Sequence, residues 1–244
     1  MEKVIIALYL GLMALAANAS PLIFYTHVNP PYVIQEQQQL SGLNIDIFQL
    51  LKQKSGLDLQ LRVLSPKRAY KLTLYSPNSC VFTIERTESR ESLFTWISPL
   101  FANRFALYQR HKNAKNLRSL ADFNGIKIGS YLGSSVSEYL SSFNLKLDLT
   151  TTNLNSAEKL HRERIDAWAS DTLLTAYILD NNNLDINPQG FEFYSSLEAI
   201  ACNKQSNPAI LQRLQEHLNQ LQRSGEINKL IQHYQRLYGI NTDL

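Results

Sequence analysis

The feature that most limits the fold of this chain is an alternation of short apolar strands with amphipathic helices, run through twice. In the first round, Leu22 to Thr26 reads as a strand and leads into a proline-rich corner ending Pro30-Pro31-Tyr32. Gly42 opens a helix that carries Ile45, Ile47, Phe48 and Leu51 on one face and stops at Ser55-Gly56. Leu57 to Val63 alternates apolar with polar residues, Ala69 to Leu74 is a short helix, and Cys80 to Ile84 is a buried strand. A polar turn from Glu85 to Glu91 precedes an extended segment from Trp96 to Leu107, where Pro99 excludes a helix.

The second round begins with a helical turn at Ser119 to Phe123. Strands at 126–129, 147–151 and 165–169 are separated by helices at 133–142 and 156–163, and a further helix covers 171–179. The chain re-crosses through Phe191 to Asn203 and ends in helices, with Leu211, Leu214, Leu218 and Leu221 on one face and a break at Gly225. Repetition on this scale predicts two α/β lobes rather than one large sheet. The crossings fall near Leu100 to Arg104 and Tyr194 to Glu198, and such a pair makes a hinge.

Composition narrows the functional classes. At 44% hydrophobic residues the chain can bury a core, and a net charge of +3 with 18% charged residues leaves no basic stripe for nucleic acid. Val4 to Ala16 is apolar but shorter than the roughly 20 residues a spanning helix needs. Ala17-Asn18-Ala19 then supplies the small residues of a signal-peptidase site. Residues 1–19 are therefore expected to be a cleaved secretory signal. Ser20 stands where a lipoprotein needs Cys, so the expected product is periplasmic, without stable membrane insertion. In an oxidising compartment the two cysteines, Cys80 and Cys202, are either bridged or buried as thiols. The five histidines are dispersed and no CxxC or HExxH spacing occurs, so neither metal nor cofactor is expected. No G-x-S-x-G, G-x-G-x-x-G or P-loop pattern supports an enzyme.

Five motifs in order carry a family likeness: Pro31-Tyr32; Gly42-Leu43-Asn44-Ile45-Asp46-Ile47; Arg86-Thr87-Glu88-Ser89-Arg90 with Phe94-Thr95-Trp96-Ile97-Ser98-Pro99; Ser119 to Gly125; and Leu221 to Leu230. Together they resemble the periplasmic solute-binding proteins that serve amino-acid ABC importers. The resemblance implies a two-lobed periplasmic binding protein-like (type II) fold with two crossing hinge strands. Lobe 1 would comprise 20–101 and 198–244, and lobe 2 would comprise 102–197. It implies a monomer that captures an amino acid or related carboxylate between the lobes for an ABC permease. Presentation of that ligand to a membrane sensor or kinase is the alternative, and a dehydratase-like enzyme on the same fold is a lesser one. The resemblance also sets the strand before the Arg86 turn beside the strand returning from lobe 2, which would pair Cys80 with Cys202.

Ligand-binding candidates follow from the same alignment of motifs. Arg90 stands where relatives hold the ligand α-carboxylate, a task suited to a forked guanidinium; the other reading is a surface arginine among Glu85, Glu88 and Glu91. Arg86 and Arg68 are further cationic candidates. Thr83 and Glu85 occupy contact positions, and Glu85 could pair a ligand ammonium or neutralise Arg86. Tyr32 offers an aromatic wall or core packing, and Tyr131 stands where several relatives carry lysine. Ser134 either belongs to an anion cradle of free backbone N–H groups or is an ordinary N-cap. Asp171 either pairs a ligand ammonium or caps the helix that follows it.

Overall fold

The computed structural model describes residues 21–113 and 117–240; the expected signal segment, 1–19, lies outside them. Strand β1 (Leu22–Thr26) is followed by a two-stranded hairpin of β2 (Ile34–Glu36) and β3 (Gln39–Ser41), then α1 (Leu43–Ser55), β4 (Leu59–Val63), α2 (Pro66–Tyr75) and β5 (Ser79–Glu85). A single turn, α3 (Glu88–Glu91), leads into the 14-residue β6 (Thr95–Tyr108). The second half contains β7 (Lys127–Tyr131), α4 (Ser135–Ser142), β8 (Lys146–Thr150), α5 (Asn153–His161), β9 (Ala167–Asp171) and α6 (Thr172–Asn181). The 12-residue β10 (Phe191–Cys202) returns to the first half, which α7 (Pro208–Arg223) and α8 (Glu226–Leu237) complete. Among the described residues no helix is long and apolar enough to cross a membrane.

The architecture is the expected two-lobed α/β fold, with one difference. A single hydrogen-bonded ladder runs through both halves in the order β4-β1-β5-β10-β6-β9-β7-β8. The cause is the length of the crossing strands: β6 and β10 pair antiparallel from Cys202↔Thr95 to Phe191↔Leu107, so neither half ends before the other begins. Parallel pairs flank them on each side, β1 with β4 and β5, and β7 with β8 and β9.

Pro99 shows how β6 continues through a residue that cannot donate to a ladder. The pairing with β10 skips between Glu198↔Phe101 and Ile200↔Ile97, freeing the main chain around the proline. Two glutamines of α7 satisfy it. Gln215 accepts from Ser98 N (2.9 Å) and donates to Ser98 O (3.1 Å), while Gln222 donates to the carbonyls of Pro99 and Leu100. Leu211, Leu214, Leu218 and Leu221 of the same helix face the core, as the leucine spacing predicts.

The first half is centred on Phe24, Phe48 and Phe82, which meet edge to face at centroid distances of 5.4–6.0 Å. Truncating one such ring typically costs about 3–5 kcal/mol. The second half has its own cluster, including Phe105, Phe123, Ile128 and Leu140. The larger cluster also continues across the crossing strands into Trp168 and Leu174. Cys80 and Cys202 are register partners on β5 and β10 and form a disulfide with a Cα–Cα distance of 4.0 Å.

Several element ends depart from expectation; α5 begins at Asn153 rather than Ser156, and β9 at Ala167 rather than Ile165. Helix α2 begins at Pro66, which takes the first helical position where its missing N–H costs nothing, rather than at Ala69. The β2–β3 hairpin is unexpected; Gln35 to Gln39 offers little strand propensity, and Gln37 turns the chain with φ 55°.

Candidate functional site

A buried polar seam forms where the crossing strands meet the lips of the two halves. Its first wall comes from the corner between β1 and α1. Gly42, with φ 112°, lies so near the main chain of Pro31 and Tyr32 that a Cβ there would sit 2.6 Å from both carbonyl oxygens. The amides of Leu43 and Asn44 donate to those carbonyls at 3.1 and 2.9 Å. The helix start thus clamps the proline corner and aims Tyr32, which is 3% exposed and stacked on Phe101 at 6.1 Å.

Tyr32 Oη reaches the opposite half. It donates to Asp171 Oδ1 at 2.7 Å and lies 3.0 Å from Asn103 Oδ1. Asp171 ends β9 and is the N-cap of α6, its Oδ1 also accepting from Leu174 N at 2.8 Å. Of the two sequence readings, the helix cap is the one seen, and the same carboxylate faces the seam. A second link joins Glu85, the last residue of β5, to Ser135 at the start of α4, whose backbone N–H donates to Glu85 Oε2 at 3.1 Å.

Glu198 completes the seam from β10. It is 7% exposed, stands in register with Glu85, and accepts from Asn103 Nδ2 at 3.2 Å. Thr83 is skipped where the β5–β10 register shifts, so its side chain leaves the ladder; its hydroxyl accepts from Asn44 Nδ2 at 3.1 Å and bonds Glu198.

Two carboxyls in this poorly solvated place, those of Asp171 and Glu198, are held toward their protonated forms. Burial pushes Asp171 up to about 6; the Glu85 charge adds to this, while the Leu174 N–H and the Tyr32 hydroxyl oppose it. Burial, then the neighbouring Glu85 charge, pushes Glu198 up to about 8 against the bonds from Thr83 and Asn103. Burial and the adjacent Asp171 also carry the Tyr32 phenol well above its ordinary range.

Of the residues singled out from sequence, Tyr32, Thr83, Glu85 and Asp171 share this seam. Arg90 borders it, its Nη1 donating to the backbone carbonyl of Glu85 at 3.1 Å. Arg86 is turned elsewhere, forked onto Glu91 at 2.8 and 2.5 Å and lying over the Trp96 ring at 5.6 Å. Arg68 is exposed on the first turn of α2. Ser134 is the N-cap of α4; its hydroxyl accepts from Ser137 N and donates to the carbonyl of Tyr131, which ends β7. Sequence reasoning missed Asn44, Asn103 and Glu198. The signal for Glu198 is an acid set among apolar residues of a strand, Leu197-Glu198-Ala199-Ile200.

A solvated groove of about 380 Å³ lies elsewhere, on the second half, between Thr150, Asn155, Lys159, Arg162 and Arg164. Two of its cations are engaged in ion pairs, Lys159 with Asp148 and Arg162 with Glu158. Among the described residues no group of three or more His, Cys, Asp or Glu side chains is arranged to hold a metal ion.

The sequence profile of the bacterial extracellular solute-binding proteins, family 3, matches residues 22–236. A search of curated proteins finds no match. Among solved structures, a histidine kinase sensor domain with similarity to periplasmic binding proteins superposes with a TM-score of 0.78 at 18% identity, over 88% of this chain and 96% of that one. An ancestral arginine-binding protein bound to arginine gives 0.74 at 21% identity over 88% and 97%. The GluR0 ligand-binding core from Nostoc punctiforme, in complex with L-glutamate, gives 0.73 at 20% identity over 91% and 100%. With its profile matched across nearly all the described chain and its two halves joined by crossing strands, the chain belongs to the bacterial extracellular solute-binding proteins, family 3.

Proposed function

We propose that this chain is a periplasmic binding protein that captures a small, nitrogen-bearing polar solute of amino-acid size between its halves and delivers it to an ABC importer. The halves are lobe 1 (20–101 and 198–244) and lobe 2 (102–197), hinged where β6 and β10 pass between them, in a monomer released by cleavage after Ala19. The observation that carries this reading is the hydrogen bond from Tyr32 to Asp171, which links the two halves through buried polar groups beside Glu85 and Glu198. Buried polar groups are costly unless bonded, so a seam that assembles several from both sides is built for an exchange of partners. Closure is then driven by contacts that exist only when both lobes touch the solute, and the chain binds without turning its ligand over. Solved neighbours described as bound to arginine and to L-glutamate support the size class.

The test is a thermal-shift and calorimetric survey of the mature protein against amino acids, di-acids and polyamines. A native-state ligand at 100 times its dissociation constant adds about 2.7 kcal/mol of stability. Asp171→Asn should weaken that ligand at least tenfold. Arg90→Ala tests carboxylate anchoring separately, since unchanged affinity removes Arg90 from the ligand contacts.

A second reading, presentation of the solute to a membrane sensor or kinase, draws support from the superposition on a histidine kinase sensor domain. Pull-down of a permease or of a sensor ectodomain by the ligand-loaded protein separates the two.

A further inference from the structure

The backbone N–H groups at the start of α4 are the natural seat for an anion in this seam, and the chain seats one of its own there. Glu85 Oε2 accepts from Ser135 N at 3.1 Å across the junction of the halves. The cations nearest in sequence are turned to other partners, Arg90 Nη1 to the main-chain carbonyl of Glu85 and Arg86 to the carboxylate of Glu91. Behind Glu85, in register on the next strand, stands Glu198, and Asp171 closes the third side through Tyr32. Two buried hydroxyls at the same place have no partner. Ser135 Oγ is on the very residue whose N–H holds Glu85; Ser196 Oγ shares the face of β10 with Glu198 and lies opposite Asn103. These residues are 4% and 5% exposed, so neither hydroxyl is satisfied by bulk water.

We propose that Glu85 acts as a built-in carboxylate that fills the anion position at the α4 N-terminus, and that the seam therefore selects a solute carrying ammonium nitrogens and no carboxylate. The proposal rests on the solute-binding reading and adds the chemical class. A ligand carboxylate would have to displace Glu85 from Ser135 and would add a fourth acidic group to a low-dielectric site holding Glu85, Asp171 and Glu198. An ammonium does the opposite. It supplies the missing countercharge, and its N–H donors find carboxylate oxygens and the unpartnered Ser135 and Ser196 hydroxyls as acceptors. A short diamine can place one nitrogen against Asp171 and Tyr32 and the other against Glu85 and Glu198.

Matched pairs that differ only by the carboxylate provide the experiment. Putrescine is compared with ornithine and cadaverine with lysine, by isothermal titration calorimetry on the mature wild-type protein and on Glu85→Gln and Glu85→Ser. The proposal expects each diamine to bind wild type at least tenfold more tightly than its amino-acid partner. It further expects Glu85→Gln, which keeps the side-chain shape, to weaken the diamines at least tenfold, and Glu85→Ser, which vacates the anion position, to narrow or reverse the preference. An amino acid that binds wild type as tightly as its diamine overturns the proposal while leaving the solute-binding reading intact. Diamine affinity unchanged in Glu85→Gln also overturns it. If none of the four compounds, nor any member of the wider survey, binds folded wild type or either variant, the solute-binding reading falls and the proposal with it. Circular dichroism of each variant separates lost binding from lost folding.

Discussion

Tyr32 and Asp171 lie 139 positions apart in sequence, yet the phenol of one donates to the carboxylate of the other at 2.7 Å, in a place neither reaches from solvent. The contact ties the corner after β1 to the cap of α6, and with the Glu85–Ser135 link it joins the two halves. Tyr32→Phe keeps the ring stacked on Phe101 and removes only that donor. Equilibrium urea denaturation should show a loss of about 1–3 kcal/mol, the usual cost of stripping a partner from a buried carboxylate. Small-angle scattering on the same variant should show a larger radius of gyration if the link holds the halves together; an unchanged radius would mean that other contacts suffice.

Acid should stabilise the ligand-free protein. Glu198 titrates near 8 when folded against 4.5 for an ordinary glutamate, and Asp171 near 6 against 3.8. Between those limits the native chain binds more protons than the unfolded one, so stability is fullest below about pH 4 for this pair. It falls as the pH rises through 6 and then 8. Glu85 and Tyr32 face the same groups, and the Glu85 charge adds to the rise of both carboxyls. Glu198→Gln mimics the protonated acid and should flatten the upper part of the profile, gaining on the order of 1–3 kcal/mol relative to wild type at pH 8. Melting temperatures across pH 5 to 8.5 check this; a wild-type profile that rises with pH contradicts it.

Gly42→Ala should be among the most damaging single changes outside the core. Its φ of 112° disfavours any side chain, and the added methyl would sit 2.6 Å from two main-chain oxygens. A loss of at least about 2 kcal/mol is expected in denaturant titration. Because the same glycine clamps the corner that aims Tyr32, ligand affinity should fall with stability.

Replacing both cysteines by serine opens a loop whose ends are 122 positions apart. The expected cost is about 2–5 kcal/mol, measured as the shift between oxidised wild type and the double variant. Reduction of the wild type by dithiothreitol should produce the same shift.

Much of the fold was legible because its signals are periodic. The stripe of Ile45, Ile47, Phe48 and Leu51 and the leucines of α7 bury the faces that their spacing predicts. The cysteine pairing was implied by family likeness and is present. The continuity of the sheet was not legible, because nothing local reveals that β6 and β10 pair along their whole lengths rather than parting between lobes. In the site, Tyr32 and Asp171 stood out by motif. Asn103 did not, since it looks unremarkable until the register sets one strand against the other, and Glu198 showed only as an acid among apolar strand residues. Arg86 shows what motif matching leaves out: its guanidinium is forked onto Glu91, five positions along its own turn.

The bridge between Cys80 and Cys202 makes a covalent ring of everything from the start of β5 to the end of β10. The whole second lobe hangs inside that ring. A protease that nicks any exposed loop there severs the backbone without releasing a fragment, and the cut shows on a gel only after reduction. A lobe cut in this way stays tethered until the bridge itself is reduced.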